Sequence, residues 1–385
     1  MLQTFLGRKQ PSPESPPGAT AAITGGIRPV DLYCYLVARF GEPNGFQNVL
    51  RKQDSDNWIH WHFSLRYQDE YIEVMAMTYR IELWVPHSVA AITADIAGEF
   101  VKAVKVDFAS YGSAMGKIRA GLEEWQEFLN PHARLSQVLN QMCDRANELV
   151  ATLPARLPHP HTSEESEAFG ENFDRWLKVH AEVNGLCQSI RLLAPVAAES
   201  FVNLLIFVLL KPELRAQAGF HDGFVRRHIN ERVAELNIHC QHFTMPVDWS
   251  APECRALHTL MNRRNDYLHG NFNPDREAYG TVYFKGTVPI FADWRDFYDR
   301  AFGPYLRSFS AQSATEDLTI VEGFKSYVMS CVDPKAYSNL RRLTETIELG
   351  YRPEKHRIGL LFPGVLHDAF ATTEPPSFVH GGDGI

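Results

Sequence analysis

The stretch Asn262-Arg263-Arg264-Asn265-Asp266-Tyr267-Leu268-His269-Gly270-Asn271 holds the residue types and spacing in this chain that could do chemistry. A histidine exchanges protons near neutral pH, and an arginine presents a planar, permanently charged fork that grips phosphate oxygens. His269 can therefore move a proton, Arg264 can hold an anion, and Asn265, one helical turn below His269, can fix the imidazole tautomer or touch the same anion. Singly, each has an ordinary structural use: a histidine near a helix C-terminus complements the dipole, and an arginine on an apolar stripe pairs with an acid. Together, in this order, they favour function.

The helix that must carry them has clear limits. Ser250-Ala251-Pro252-Glu253 reads as a Ser-x-x-Glu capping box with proline in the first turn, so the helix should begin at about Ala251. Gly270 can supply the left-handed residue that ends it, and Pro274 blocks continuation. Leu257, Leu260, Met261 and Leu268 form an apolar stripe that includes Arg264, while His258, Asn262, Asn265 and His269 line a polar face. On an ideal helix Arg264 and His269 diverge by roughly 140°. One straight helix would not aim both at a single atom, but two copies related by a two-fold axis could.

Arg264-Asn265-x-x-x-His269 resembles the Arg-x4-His signature of the HEPN superfamily, all-helical domains that often dimerise and are often metal-independent ribonucleases; Asn directly after Arg is the commonest form of that signature. The resemblance implies attack of an RNA 2′-OH on the adjacent phosphate, with His269 in the proton transfers, Arg264 on the phosphate and Asn265 beside them. It implies products with 2′,3′-cyclic phosphate and 5′-hydroxyl ends, no metal and no cofactor. Such domains commonly act as toxins or antiviral effectors restrained by a partner or a sensing domain. Some carry a tyrosine two residues after the histidine as a target for nucleotidylation; Asn271 stands there, so that control does not transfer. The alternative is a HEPN-like dimeric module without cleavage that binds nucleotide or a protein partner.

A helix from about Ala194 to Leu210 is apolar almost all round and should be buried on every side, as a central core helix or a dimer seam. Within it Glu199 and Asn203 stand one turn apart. A carboxylate in that setting needs a partner, and Arg264 is the one expected. Phe220 to Phe243 reads as a basic amphipathic helix carrying Arg226, Arg227 and Arg232; with Arg263 and its neighbours it would make a positive rim for RNA. His239 and His242 lack a second ligand pair, so no metal site is expected.

The net charge of −8 argues against a general nucleic-acid coat, leaving only a local basic patch. Six widely spaced cysteines without Cys-x-x-Cys indicate neither a disulfide framework nor a zinc ribbon. With no signal peptide and no adequate apolar run, the expected location is cytoplasmic, with no membrane. Residues 1–28 read as a mobile tail, and 29–153 as an α+β sensing or assembly domain. In that domain a helix starts at Pro29, antiparallel strands run between Trp58 and Val85, and helices span 91–108, 115–128 and 135–153. His60 and His62 share a strand face, read as half-exposed and polar. Residues 154–162 form a proline-rich linker, 163–349 a mainly α, HEPN-like helical bundle, and 350–385 a partly disordered extension. Thr162 should cap a helix carrying Phe169 to Cys187. Past the motif, 280–291 reads as a strand pair, and 294–309, 316–331 and 334–349 as helices.

Overall fold

The computed structural model of the chain describes residues 19–50, 58–67, 70–85, 95–154, 157, 162–272, 274, 278, 280–295, 300, 303 and 310–361. Expectations for the first 18 residues, the turn at 68–69, most of 155–161 and of 296–309, and the final stretch from Glu374 lie outside them. The chain divides into two compact units, Met1–Glu124 with Phe362–Ile385, and Trp125–Leu361.

In the first unit β2 (Trp61–Tyr67), β3 (Glu70–Ala76) and β4 (Ile81–Val85) form an antiparallel meander, and β1 (Ala19–Ile23) pairs with β4, giving the order β1-β4-β3-β2. Strand alternation turns Phe63, Leu65, Ile72, Val74 and Leu83 to one face, where α1 (Pro29–Phe40) and α2 (Ile96–Gly121) cover them. Order therefore begins before Pro29: Ala19–Ile23 is a sheet strand, not part of a tail. Its small side chains hide it in the sequence, because only Ile23 is fully buried, with Ala21 partly so, while the ladder to β4 holds the strand. The stretch expected to hold two helices is the single α2, which runs through Gly112 and Gly116; a glycine costs an exposed helix only about 1 kcal/mol.

The second unit is built on α4 (Ser163–Leu209), a 47-residue helix opened by a Thr162–Glu165 capping box. It continues through Pro195, so the two helices expected here are one. Proline's fixed φ suits a helix; what it removes is one backbone donor and the room for the carbonyl four residues back, and buried packing around Ala194, Ala197 and Ala198 outweighs that loss. Phe201, Val202, Leu205 and Ile206 are sealed in the main core with Leu257 and Leu260 of α5 (Pro252–His269) and Phe324 and Val328 of α6 (Ala311–Ser330).

Before α4, α3 (Pro131–Ala151) lies along it, with Leu139, Cys143 and Ala146 against Val183, Cys187 and Ile190. This packing puts the boundary between units at Glu124 and Trp125, ahead of α3, not at the proline-rich stretch. Asn130 fastens the start of α3: its Oδ1 accepts from the His132 and Ala133 amides, and its Nδ2 donates to the Leu343 and Thr346 carbonyls at 2.9 and 3.0 Å. β5 (Gln126–Leu129), where a helix was expected, thereby meets the end of α7 (Pro334–Glu345) and pairs with β8 (Glu348–Arg352), which also pairs with β9 (Arg357–Gly359). Residues 350–359 are thus ordered strand and turn. β6 (Val282–Lys285) and β7 (Val288–Phe291) form the expected hairpin.

Among the described residues one helical stretch, Phe169–Leu209, is long and apolar enough to cross a membrane, and 56% of its most apolar window is buried inside the fold. That is the environment of a core helix.

Candidate functional site

The start of α5 differs from expectation in one detail. Ser250 does not cap it; its hydroxyl and amide both turn back to Asp248, at 2.7 and 2.8 Å, and Ala251 occupies the cap without a side-chain bond. Pro252 in the first turn holds, because the amide it lacks has no helical partner anyway. At the other end Gly270 adopts φ 62°, its amide reaching the Asp266 and Tyr267 carbonyls, and Asn271 bonds Asp266 through both backbone and side chain. The helix carrying the motif is therefore fixed at both ends.

Cys254, Leu257 and Leu260 are fully buried, and Met261 is partly covered. The stripe ends there: Leu268 is 57% exposed, because the last turn of α5 runs past the side chains that cover its middle. Tyr267, Leu268 and Phe272 are all exposed around His269. His269 is exposed and makes no hydrogen bond or ion pair among the described residues.

Arg264 lies inward. Its Nη2 stands 4.0 Å from Glu199 Oε1 on α4, and its Nε donates to Asn265 Oδ1 at 3.1 Å. Glu199 Oε2 is closer to a different arginine, at 3.1 Å from Arg232 Nη2, and Arg232 Nη1 donates to Asn203 Oδ1. A continuous polar chain results: Asn203, Arg232, Glu199, Arg264, Asn265. Arg232 is 3% exposed, whereas the Glu199 and Arg264 side chains keep 30% and 19% of their surface. The carboxylate is thus neutralised from the interior by Arg232, and Arg264 approaches from the solvent side at a loose distance.

Arg264 does pair with Glu199, but at 4.0 Å and with Arg232 closer, so the reading of Arg232 as a rim residue is corrected. Phe220–Phe243 is not one amphipathic helix but three short ones, Phe220–Val225, Ile229–Ala234 and Leu236–His239, bent so that Phe224, Ile229, Val233, Leu236 and Cys240 all reach the core. Arg232 shares the spacing of Ile229, Val233 and Leu236, the signal that could have placed it inside.

The other cations differ among themselves. Arg226 is exposed. Arg227 is committed to Glu235 at 2.6 Å, with its guanidinium over the Phe224 ring. Arg263 is exposed and near enough to Asp317 to act on it: burial pushes that carboxyl above the usual carboxylate range, while Arg191, bonded to it, and Arg263 oppose the shift. Asn265 spends its oxygen on Arg264, not on His269. Within one chain the structure therefore brings together Glu199, Asn203, Arg264 and Asn265, adds Arg232, and leaves His269 apart.

In the first unit, His62 is a buried fastening rather than part of a half-exposed polar face. Its Nδ1 accepts from the Phe46 amide at 3.2 Å, so Nε2 carries the proton and donates to Glu73 at 2.6 Å. A Cβ on Gly45 would fall 2.2 Å from that ring, which is why glycine stands there. Among the described residues no three His, Cys, Asp or Glu side chains gather closely enough to hold a metal ion. Comparison with protein-family models, with characterised proteins and with solved structures returned no match.

Proposed function

We propose that this chain is a cytoplasmic, metal-independent endoribonuclease of HEPN type, working as a dimer in a toxin or antiviral system in which the first unit senses a signal or meets an inhibitory partner. The observation that carries this reading is the loose seat of Arg264. Because Arg232 neutralises Glu199 from inside, the Arg264 fork is oriented without being used up and can turn to an RNA phosphate. His269, exposed one turn beyond Asn265, would take the 2′-OH proton and, as imidazolium, return a proton to the leaving 5′-oxygen. Arg264 would hold the non-bridging oxygens as charge builds on them. Because Arg264 and His269 diverge on one helix, a second copy would be needed to complete the site. Exposed Arg226 and Arg263 would guide the RNA backbone, with Arg227 contributing less because Glu235 holds it.

The isolation of His269 from Arg264 in the single chain favours a second reading, a dimeric HEPN-like module that binds nucleotide or protein without cleavage. The deciding assay uses labelled single-stranded RNA and a tRNA mixture in EDTA, with the full chain, Arg264→Ala and His269→Ala. Cleavage by the unaltered chain alone, leaving 2′,3′-cyclic phosphate ends, is the expected result. A folded dimer that leaves RNA intact, alone and in lysate of phage-challenged cells, would favour the binding module.

A further inference from the structure

The β6–β7 hairpin is unusual in exposing both of its faces. Tyr283, Phe284, Val288, Ile290 and Phe291 each leave half or more of their surface open, and Trp294 just beyond is fully exposed. The register puts Phe284 and Phe291 on one face and Tyr283, Val288 and Ile290 on the other, so each face carries its own apolar strip, on the order of 300 Å². Lys285 is the only charged residue in either strand, and on the β7 side the Arg300 guanidinium lies 3.8 Å over the Phe291 ring.

The two edges of the hairpin differ. The strands are joined by the two-residue turn Gly286-Thr287, with Gly286 at φ 65°, so Lys285 and Val288 form a hydrogen-bonded pair. Bonded and non-bonded pairs alternate from there, which agrees with the Ala292 amide reaching the Thr281 carbonyl at 3.2 Å. Phe284 and Pro289 therefore form a non-bonded pair whose backbone groups face outward. On the β7 side the outward group at Pro289 has no N–H, which blunts that edge against strand addition. On the β6 side Val282 and Phe284 present complete outward amides and carbonyls.

We infer that β6 pairs antiparallel with β6 of a second copy of this chain, joining two hairpins into one four-stranded sheet about a two-fold axis through Tyr283. Outward groups must meet outward groups, so Val282 stands opposite Phe284 of the second copy, and Tyr283 opposite its own equivalent. In that register Lys285 faces Thr281 of the second copy, and no like charges meet. An edge whose alternation and lack of charge are both self-complementary fits a second copy better than an unrelated partner. The hairpin follows α5 in the chain, and Leu268 and Phe272 beside His269 are exposed as well. The inference stands without the nuclease reading, because its readout is mass and cross-linking, not cleavage.

The six native cysteines are all buried, so an introduced surface cysteine can be oxidised selectively. In an antiparallel non-bonded pair the Cα atoms sit about 4.5 Å apart, within disulfide reach. The full chain is weighed by sedimentation, then Tyr283→Cys and Lys285→Cys are oxidised with glutathione disulfide and run on non-reducing gels. The expected result is a dimer at micromolar chain, a covalent dimer from Tyr283→Cys, none from Lys285→Cys, and a dissociation constant raised roughly tenfold or more by Phe284→Pro, which removes an outward donor but no bond inside the hairpin. A full chain that stays monomeric would assign the open edge to a strand from another protein and overturn the proposal. So would a dimer indifferent to Phe284→Pro in which Tyr283→Cys fails to cross-link. RNA cleavage by a dimer that fails these tests would leave the nuclease reading intact, whereas a monomer would count against the two-copy site as well.

Discussion

Arg232, not the motif arginine, is the close partner of Glu199: their nearest atoms are 3.1 Å apart, while Arg264 stands 4.0 Å from the other oxygen of the same carboxylate. The two arginines therefore divide one acid into an interior, structural half and a solvent-side half. A pair loses most when its removal strands a buried charge, and a partly exposed pair at long distance contributes little.

The first prediction follows from that division. Arg232→Met should destabilise the protein by about 3 kcal/mol, because it leaves Glu199 and Asn203 without their inner partner. Arg264→Met should cost under about 1 kcal/mol. Under the proposed function the order reverses for RNA cleavage, which Arg264→Met abolishes in a protein that melts near the unaltered temperature. Denaturant midpoints and a cleavage assay on the same preparations check both halves; equal destabilisation by the two variants would remove the division.

Legibility in the sequence followed the same line. The limits of α5 could be read because proline and glycine act through their own backbones: Pro252 and Gly270 stand where expected. The serine cap failed because Ser250 had a nearer acceptor in Asp248, a competition that spacing alone does not rank. Glu199 and Arg264 were matched from chemistry, but the better partner lay among basic neighbours that read as surface, although its spacing with Ile229 and Val233 pointed inward. Likewise the sequence reads as two helices, one carrying Phe169 to Cys187 and one from about Ala194, whereas packing of buried alanines on both sides of Pro195 carries a single helix through.

A second prediction concerns pH. His132 is fully buried, its Nδ1 on the Ala197 carbonyl at 3.1 Å, and burial first, then the positive charge of Lys325, pull its pKa from 6.5 down to about 4. Between those values the unfolded chain binds a proton that the folded chain refuses. The stability is therefore fully present above pH 6.5 and is lost as pH falls toward 4. Unfolding free energy should drop by about 2 kcal/mol between pH 7 and pH 5 from this residue. His132→Asn should flatten that part of the profile in urea titrations; an unchanged slope would show that other groups cause it.

A third prediction tests the end of the motif helix. Gly270 holds φ 62°, where a side chain is strained. Gly270→Ala should cost about 1 kcal/mol and Gly270→Asn less than half of that, since asparagine tolerates the left-handed region. Because His269 is the residue just before this cap, amide hydrogen exchange over 266–271 should rise in the alanine variant. Unchanged exchange would mean that the Asn271–Asp266 bonds hold the turn by themselves.

The last prediction separates packing from hydrogen bonding at the point that ties α3 to the strands behind it. Asn130 is fully buried and satisfies four backbone groups at once, two as acceptor and two as donor. Asn130→Asp keeps the shape and both acceptor bonds at the helix start, where a carboxylate is even favoured by the dipole. It replaces the two donors with an oxygen facing the Leu343 and Thr346 carbonyls. Asparagine is therefore required not as a helix cap but as a donor to the far end of the unit. Asn130→Asp should destabilise by about 3 kcal/mol, and as much as Asn130→Ala, despite being the better cap. Loss of β5–β8 protection in hydrogen exchange, with α3 itself still protected, would locate the damage at the donor side. A stable Asn130→Asp variant would mean that capping alone explains the residue.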